Sequence, residues 1–423
     1  MNISEKKFQQ LFNYFLLLIS TTLIFRLTCT KIIIAFAAFS LIYIKRIEIS
    51  KKSFYFILII SIPLLLEILF FWNNDSIRLG FKSLEKSISL LIFPLFIIGN
   101  YKYINFYSLF KNYAIITTLF LLFFFIRFSI IDPHDFYKYL KGIELWEMGY
   151  VFSKTIGIHA PALNMHLAFV SIINLYLLLK SNSETTLYKV GLFIIFIFSF
   201  FFVLYINTRI ALICMLLGYL IVLFYEFVLS KSKYSKIKLL IIILSLGIVF
   251  VLFISKYTYM KEKYTNQIFS NFDKIGKLDE FKNPVAEVSC SFVTRLSIWK
   301  STIELSEKNL LYGVGSSDSR NVLNNYFVET NQNFLAQQKF PTHNQYLDFL
   351  LKYGITGLIG VFIYIFFIGY LGIQLKNPII ISFFLLFFIS NLTDDFLIRF
   401  DGITFSGFWI SIFVAYFINE KKL

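Results

Sequence analysis

Cysteine, proline, histidine and charge are all scarce in this chain, and each scarcity removes a class of protein. The three cysteines, Cys29, Cys214 and Cys290, show no metal-ligand spacing. Cys214 lies inside a hydrophobic run, so a disulfide scaffold is not indicated, although Cys29 and Cys290 could both face an oxidising side. Four scattered histidines, with no paired DxD and no HExxH, offer no metal centre, and no metal or other cofactor is expected. Seven prolines and 18 glycines leave no low-complexity linker and no obvious soluble domain. No internal repeat is apparent, which weakens a transporter built from duplicated halves. The first apolar stretch follows MNISEKKFQQ without a small-residue cleavage site, so it reads as a retained first helix.

What the chain has in excess is apolar surface. At 57% hydrophobic, 20% aromatic and only 15% charged, its 423 residues carry too much for one soluble core, and the chain reads as an all-α polytopic membrane protein. The +15 formal charge does not form a basic face. Its lysines and arginines sit between hydrophobic runs, which argues for membrane lipids and against nucleic acid as the partner.

A span needs ~20 apolar residues, and about twelve segments approach that length. They run roughly over 11–25, 31–44, 53–72, 88–98, 113–131, 161–179, 190–206, 210–229, 237–255, 355–373, 378–392 and 405–418. Placing the N-terminus in the cytoplasm puts the lysine-rich stretches KRIEISKK and KSKYSKIK, and Lys421 with Lys422, on the cytoplasmic side with the C-terminus. The expected organisation is then about nine spans in 1–255, one large outer helical loop in 256–342, and about three spans in 343–423.

The loop and its borders hold the residues that could carry chemistry. Arg209, in NTRIAL, sits where a span begins on the outer side; such an arginine either anchors at the membrane edge or binds an anion. Arg295, in VTRLSIWKSTIEL, falls at i, i+4 to Trp299 on a face shared with Leu296 and Ile303, where an arginine either salt-bridges or wants an anion. The turn at Gly313 and Gly315 is a plain turn or a weak phosphate cradle, with Ser316, Ser317 and Asp318 as possible caps for the next helix. His343, in PTHNQYLDFLLKYGITG, stands at the loop-to-span junction; on a helix it would share a face with Tyr346, Leu347 and Leu350, and it is structural or catalytic. Asn344 and Tyr346 flank it as secondary candidates. Glu67, Asp394, Asp395, His159 and His166 lie at or near spans, where polar helix contacts or a buried structural role is the milder reading. Two arginines and one imidazole on one side of a membrane suit the binding of a lipid diphosphate and the deprotonation of an alcohol.

Taken in order, NTRIAL, RLSIWKSTIELSEKNLLYGVGSSD and THNQYLDFLLKYGITGL resemble the successive motifs of the O-antigen ligase and polymerase superfamily, over roughly residues 190–375. The resemblance implies a GT-C-like helical fold in the bacterial inner membrane, with the large loop periplasmic. It implies a metal-independent, inverting glycosyltransferase that uses an undecaprenyl-diphosphate-linked glycan as donor and lipid A-core, or another lipid-linked glycan, as acceptor. By position, Arg209 and Arg295 would bind the diphosphate and His343 would orient or deprotonate the acceptor hydroxyl. A ligase is the expected activity, because one outer loop dominates. A polymerase joining lipid-linked repeats shares the chemistry; an oligosaccharide flippase or a scaffold of envelope assembly would lie outside it.

Overall fold

The computed structural model describes residues 3–181, 185–228, 247–248, 251–252, 255–256, 258–265, 271–288 and 291–422, and no strand occurs among them. The principal helices are α1 (Glu5–Thr22), α2 (Arg26–Ile42), α3 (Lys51–Ile60), α4 (Ile62–Leu69), α5 (Ile77–Ser87), α6 (Phe106–Ile131), α7 (Met148–Ile156), α8 (Ala160–Lys180), α9 (Thr186–Ile206) and α10 (Arg209–Leu223). They continue as α11 (Thr258–Thr265), α12 (Phe292–Glu307), α13 (Ser319–Glu329), α14 (Gln345–Leu375), α15 (Pro378–Thr393) and α16 (Phe400–Lys421).

The described residues form an all-helical membrane protein. Among them, six helices are long and apolar enough to cross a membrane: α6, α8, α9, α10 with the π-helical turn Phe224–Val228 that follows it, α14 and α16. A seventh span arises if α3 and α4, bent by 68° to each other, are counted as one. Other expected segments take other forms. The 88–98 stretch becomes the short helix Ser89–Phe93 and a π-helical turn beginning at Pro94, whose missing N–H interrupts the regular ladder. Helices α2 and α15 are 17 and 16 residues long, at the short end of what crosses a bilayer. Most of 237–255 lies outside the described residues.

Helices α8 and α16 form the centre: 83% and 89% of their apolar windows are buried, against 28% for α6. The inner pair is apolar all round because it meets other helices all round, whereas α6 shows most of its apolar surface to the surroundings. Trp409 of α16 is fully buried and packs on Phe110, Tyr113 and Phe169.

A second, smaller core assembles over one end of this bundle. Leu278, Val293, Ile298, Leu305, Leu323, Phe327 and Leu335 pack together and onto Leu351 of α14. The buried stripe of α12 runs Thr294, Ser297, Ile298, Ser301, Thr302 and Leu305. This corrects the expected face of Leu296, Trp299 and Ile303, since Ile303 is exposed and the other two only half-buried.

The layer is latched to the bundle through a break in α14. Gly354 adopts φ 66° and ψ −153°, so the helical ladder is interrupted there. The freed groups are all taken up by the turn before α13: Ile355 donates to Leu310 O at 2.8 Å, Val314 N donates to Leu351 O at 2.9 Å, and Gly315 N donates to Lys352 O at 3.1 Å. Asn73 Nδ2 donates to the carbonyls of Tyr312 and Gly313, and Asp75 N to Asp318 Oδ2, which ties the α4–α5 connection to the same turn.

Candidate active site

His343 lies just outside α14, not on it. Its backbone is left-handed, with φ 48°, and Asn344 is the helix N-cap, accepting from the amides of Tyr346 and Leu347. The expected shared face with Tyr346, Leu347 and Leu350 is therefore corrected: the cap turns His343 away from that face. Positive φ is uncommon for a residue with a side chain and is a form of local strain that folded proteins concentrate at functional positions.

That turn aims the imidazole at the end of another helix. Nδ1 of His343 lies 3.6 Å from Oδ1 of Asp394, the residue that ends α15, with the His343 side chain 24% exposed and that of Asp394 10%. The two segments are fastened one turn away, where Leu397 N donates to Gln345 Oε1 at 2.6 Å. Burial alone would raise the Asp394 carboxyl, but His343, Asp395 and the charge of Arg399 outweigh it and hold the group well below the usual carboxylate range. Asp395 is displaced the other way. It is fully buried, neither carboxylate oxygen has a hydrogen-bond partner, and burial and the neighbouring Asp394 charge push it well up. The surroundings thus favour the charged form of Asp394 and disfavour that of Asp395. Two adjacent carboxyl groups with separated roles are a signature of active sites more than of packing.

Side-chain atoms of His343, Asp394 and Asp395 that could bind a metal lie within 4.8 Å of one another. No spacing motif could have announced this grouping, since it joins residues fifty positions apart. A metal there would need Asp395 as a carboxylate, whereas its surroundings favour the neutral acid.

Arg295 stands beside this pair, and Arg209 lies on the same side of the bundle. Arg295 reaches from α12 across the layer, and its Nη1 donates to Thr393 O at 2.5 Å, beside Asp394. Arg209 opens α10 on the same side of the bundle, as a chain of contacts establishes. Asn164 Nδ2, one turn into α8, donates to Thr208 Oγ1 at 2.7 Å, and His159, at the start of α8, is close enough to His343, Asp394 and Arg399 to feel their charges. Over that turn folds α11, with Lys263 Nζ donating to Asn207 O and Tyr264 OH to Asn207 Oδ1, so that Tyr264 senses the Arg209 charge. Burial, then Arg399, lowers His159 to about 4, which leaves it neutral beside the site. His166 is fully buried one helical step deeper, against Phe405 with ring centroids 4.0 Å apart.

The secondary candidates serve the frame. Gly313 and Gly315 have φ of +68° and +89°, and a Cβ on either would fall 2.3 Å from a backbone atom, of Lys352 and Asn73 respectively. The turn's amides already bond to Leu351 and Lys352, so it acts as a wedge in the α14 break and has no donors arrayed for phosphate. Tyr346 OH donates to Phe388 O at 3.1 Å, pinning α14 to α15. Glu67 accepts from Ser83 and Ser87, a contact between α4 and α5. Asp318 precedes α13 without capping it, its carboxylate being used by Asp75 and Ser317.

The arrangement can thus hold an anion near Arg295 and take a proton at His343. Residues 194–362 match the family model described as O-antigen ligase. The match is a similarity that spans about two fifths of the chain. The match takes in Arg209, Arg295 and His343 and stops before Asp394 and Arg399. No curated protein matches the chain significantly. The sequence gives no sign of Arg399, and for Asp394 the available signal is the Asp394–Asp395 doublet at the end of an apolar helix.

Proposed function

We propose that the protein is an O-antigen ligase-type glycosyltransferase of the bacterial inner membrane. It moves a glycan from undecaprenyl diphosphate to an acceptor such as lipid A-core at the periplasmic face. The observation that carries this reading is the His343–Asp394 pair with Arg295 bonded to the carbonyl beside it.

In the reaction, Nδ1–H of His343 faces Asp394, which leaves Nε2 unprotonated as the base. The acceptor oxygen attacks the anomeric carbon from the side opposite the diphosphate while Nε2 takes its proton. The bond from C1 to the diphosphate oxygen breaks, its electron pair leaves with the diphosphate, and the configuration at C1 inverts. Arg209 and Arg295 stabilise the charge developing on the leaving diphosphate, the place a metal ion fills elsewhere, and Asp394 stabilises the imidazolium. The layer around α12 and α13 covers the reacting sugar and limits competition from water.

Two outcomes follow. Asp394→Asn, which keeps the shape and removes the charge, is expected to lower kcat about 10²-fold with donor affinity retained, read as initial rates against donor binding. Excess EDTA is expected to leave the rate unchanged; loss of transfer that Mg²⁺ or Mn²⁺ restores would reassign His343, Asp394 and Asp395 to a metal site. The test of the function itself offers purified protein an undecaprenyl-diphosphate glycan with lipid A-core or with a second lipid-linked repeat. Glycan on lipid A-core supports the ligase, a ladder of longer lipid-linked chains makes the protein a polymerase, and transbilayer movement without transfer to either sinks the enzyme reading in favour of export.

A further inference from the structure

Next to the His343–Asp394 pair the protein has a partly open cavity of ≈ 510 Å³. That volume is within the range of small-ligand pockets. Its wall shares Thr342, Asp395 and Arg399 with the candidate active site and adds Arg26, Lys86, Arg320 and Lys352 from elsewhere in the chain.

The charges in this wall do not cancel. Lys352 is bonded to Asp348 at 2.7 Å, so that pair is internally neutral. Asp395 and Asp401 are the carboxylates left among the lining residues, against the four cations Arg26, Lys86, Arg320 and Arg399. Arg320 spends one N–H on Lys339 O, and Arg26 lies 5.7 Å from the Phe400 ring centre. Lys86 is lowered first by burial and then by repulsion from Lys352.

We propose that this cavity holds a phosphate group carried by the glycan acceptor, close to the hydroxyl that His343 deprotonates, through Arg26, Lys86, Arg320 and Arg399. Guanidinium forks match phosphate oxygens in pairs, and a dianion offsets the excess of cations in this wall. The inference rests on the transferase reading, in which Arg209 and Arg295 already serve the donor diphosphate and a second cationic site is left for the other substrate. Arg26, Lys86 and Arg399 lie outside the family match at 194–362, where features particular to one acceptor would reside. The wall also includes the end of α5, whose Ile77 and Phe81 are exposed beside Arg78 and Lys82, as in a helix lying at a membrane surface. A lipid-borne acceptor could therefore approach the cavity from the bilayer edge.

The test measures binding without turnover, on the full chain in nanodiscs, with glucose 6-phosphate, glucose and undecaprenyl diphosphate as probes. Wild type is expected to bind glucose 6-phosphate at least about tenfold more tightly than glucose, a bidentate contact being worth that much or more. Lys86→Gln with Arg320→Gln is expected to abolish this preference and leave undecaprenyl diphosphate affinity unchanged, which also reports an intact fold. Arg320→Gln alone, at an exposed position, gives the same result at lower amplitude if the double variant does not fold. Equal binding of the two sugars by wild type overturns the proposal. So does a double variant that loses undecaprenyl diphosphate and keeps glucose 6-phosphate, because the cavity would then serve the donor. Sugar-phosphate preference in a protein that transfers no glycan upholds the site and overturns the transferase reading, so the two failures are distinguishable.

Discussion

His343→Ala is expected to lower glycan transfer about 10²–10⁴-fold while donor affinity stays within about twofold, the range that a positioned general base contributes. Its geometry sets the expectation. The imidazole is turned out of α14 by a left-handed backbone and faced by the Asp394 carboxylate, whose charged form is favoured, while the buried carboxyl of Asp395 stands next to it. A histidine placed only for packing would not need that strained turn, because an ordinary helical conformation would have kept it on the apolar face. The measurement is product mass from purified protein, with donor binding followed separately. Combining His343→Ala with Asp394→Asn should cost little more than His343→Ala alone, since the carboxylate acts through the imidazole. Additive losses would mean that the two residues work independently, and a transfer rate near wild type in His343→Ala would end the general-base reading.

The parts of this site that sequence reasoning found are those whose neighbours lie close in the chain. Arg209 was visible because a charge at the start of an apolar run is anomalous, and His343 because it stands where a hydrophilic segment meets a span. Asp394 and Arg399 acquire their meaning only when α15 returns to the His343 side, a contact across fifty residues that no periodicity encodes. The expected segments and the six long helices of the described residues differ for a related reason. Hydrophobicity reports that a segment is buried, but Pro94 and the 68° bend between α3 and α4 decide whether it is one straight crossing. The GVG turn was read as a phosphate cradle or a plain turn, and its use as a wedge depends on a partner, the gap at Gly354, forty residues downstream.

That gap carries the second large effect. Gly354→Ala is expected to destabilise the outer layer and to lower transfer about 10²-fold, although Gly354 is eleven residues from His343 and touches no substrate group. At φ 66° and ψ −153° the residue occupies a region open essentially to glycine alone, which costs another residue about 1–3 kcal/mol. A Cβ there would also fall 2.3 Å from Leu310 O and 2.7 Å from Leu311 C, both backbone atoms that cannot swing aside. Relieving the clash means parting Leu310–Gly315 from Leu351–Ile355, and with them the three hydrogen bonds that latch the layer. The segment from Gln345 to Tyr353, which presents His343 to Asp394, then loses its support on one side. Gly191→Ala in α9 is the matched control, since nothing lies within 4 Å of its Cβ position and alanine is the better helix former. Thermal unfolding in detergent and initial transfer rates would be compared for the two variants. A Gly354→Ala protein as stable and active as Gly191→Ala would mean that the break in α14 neither holds the layer nor sets the position of His343.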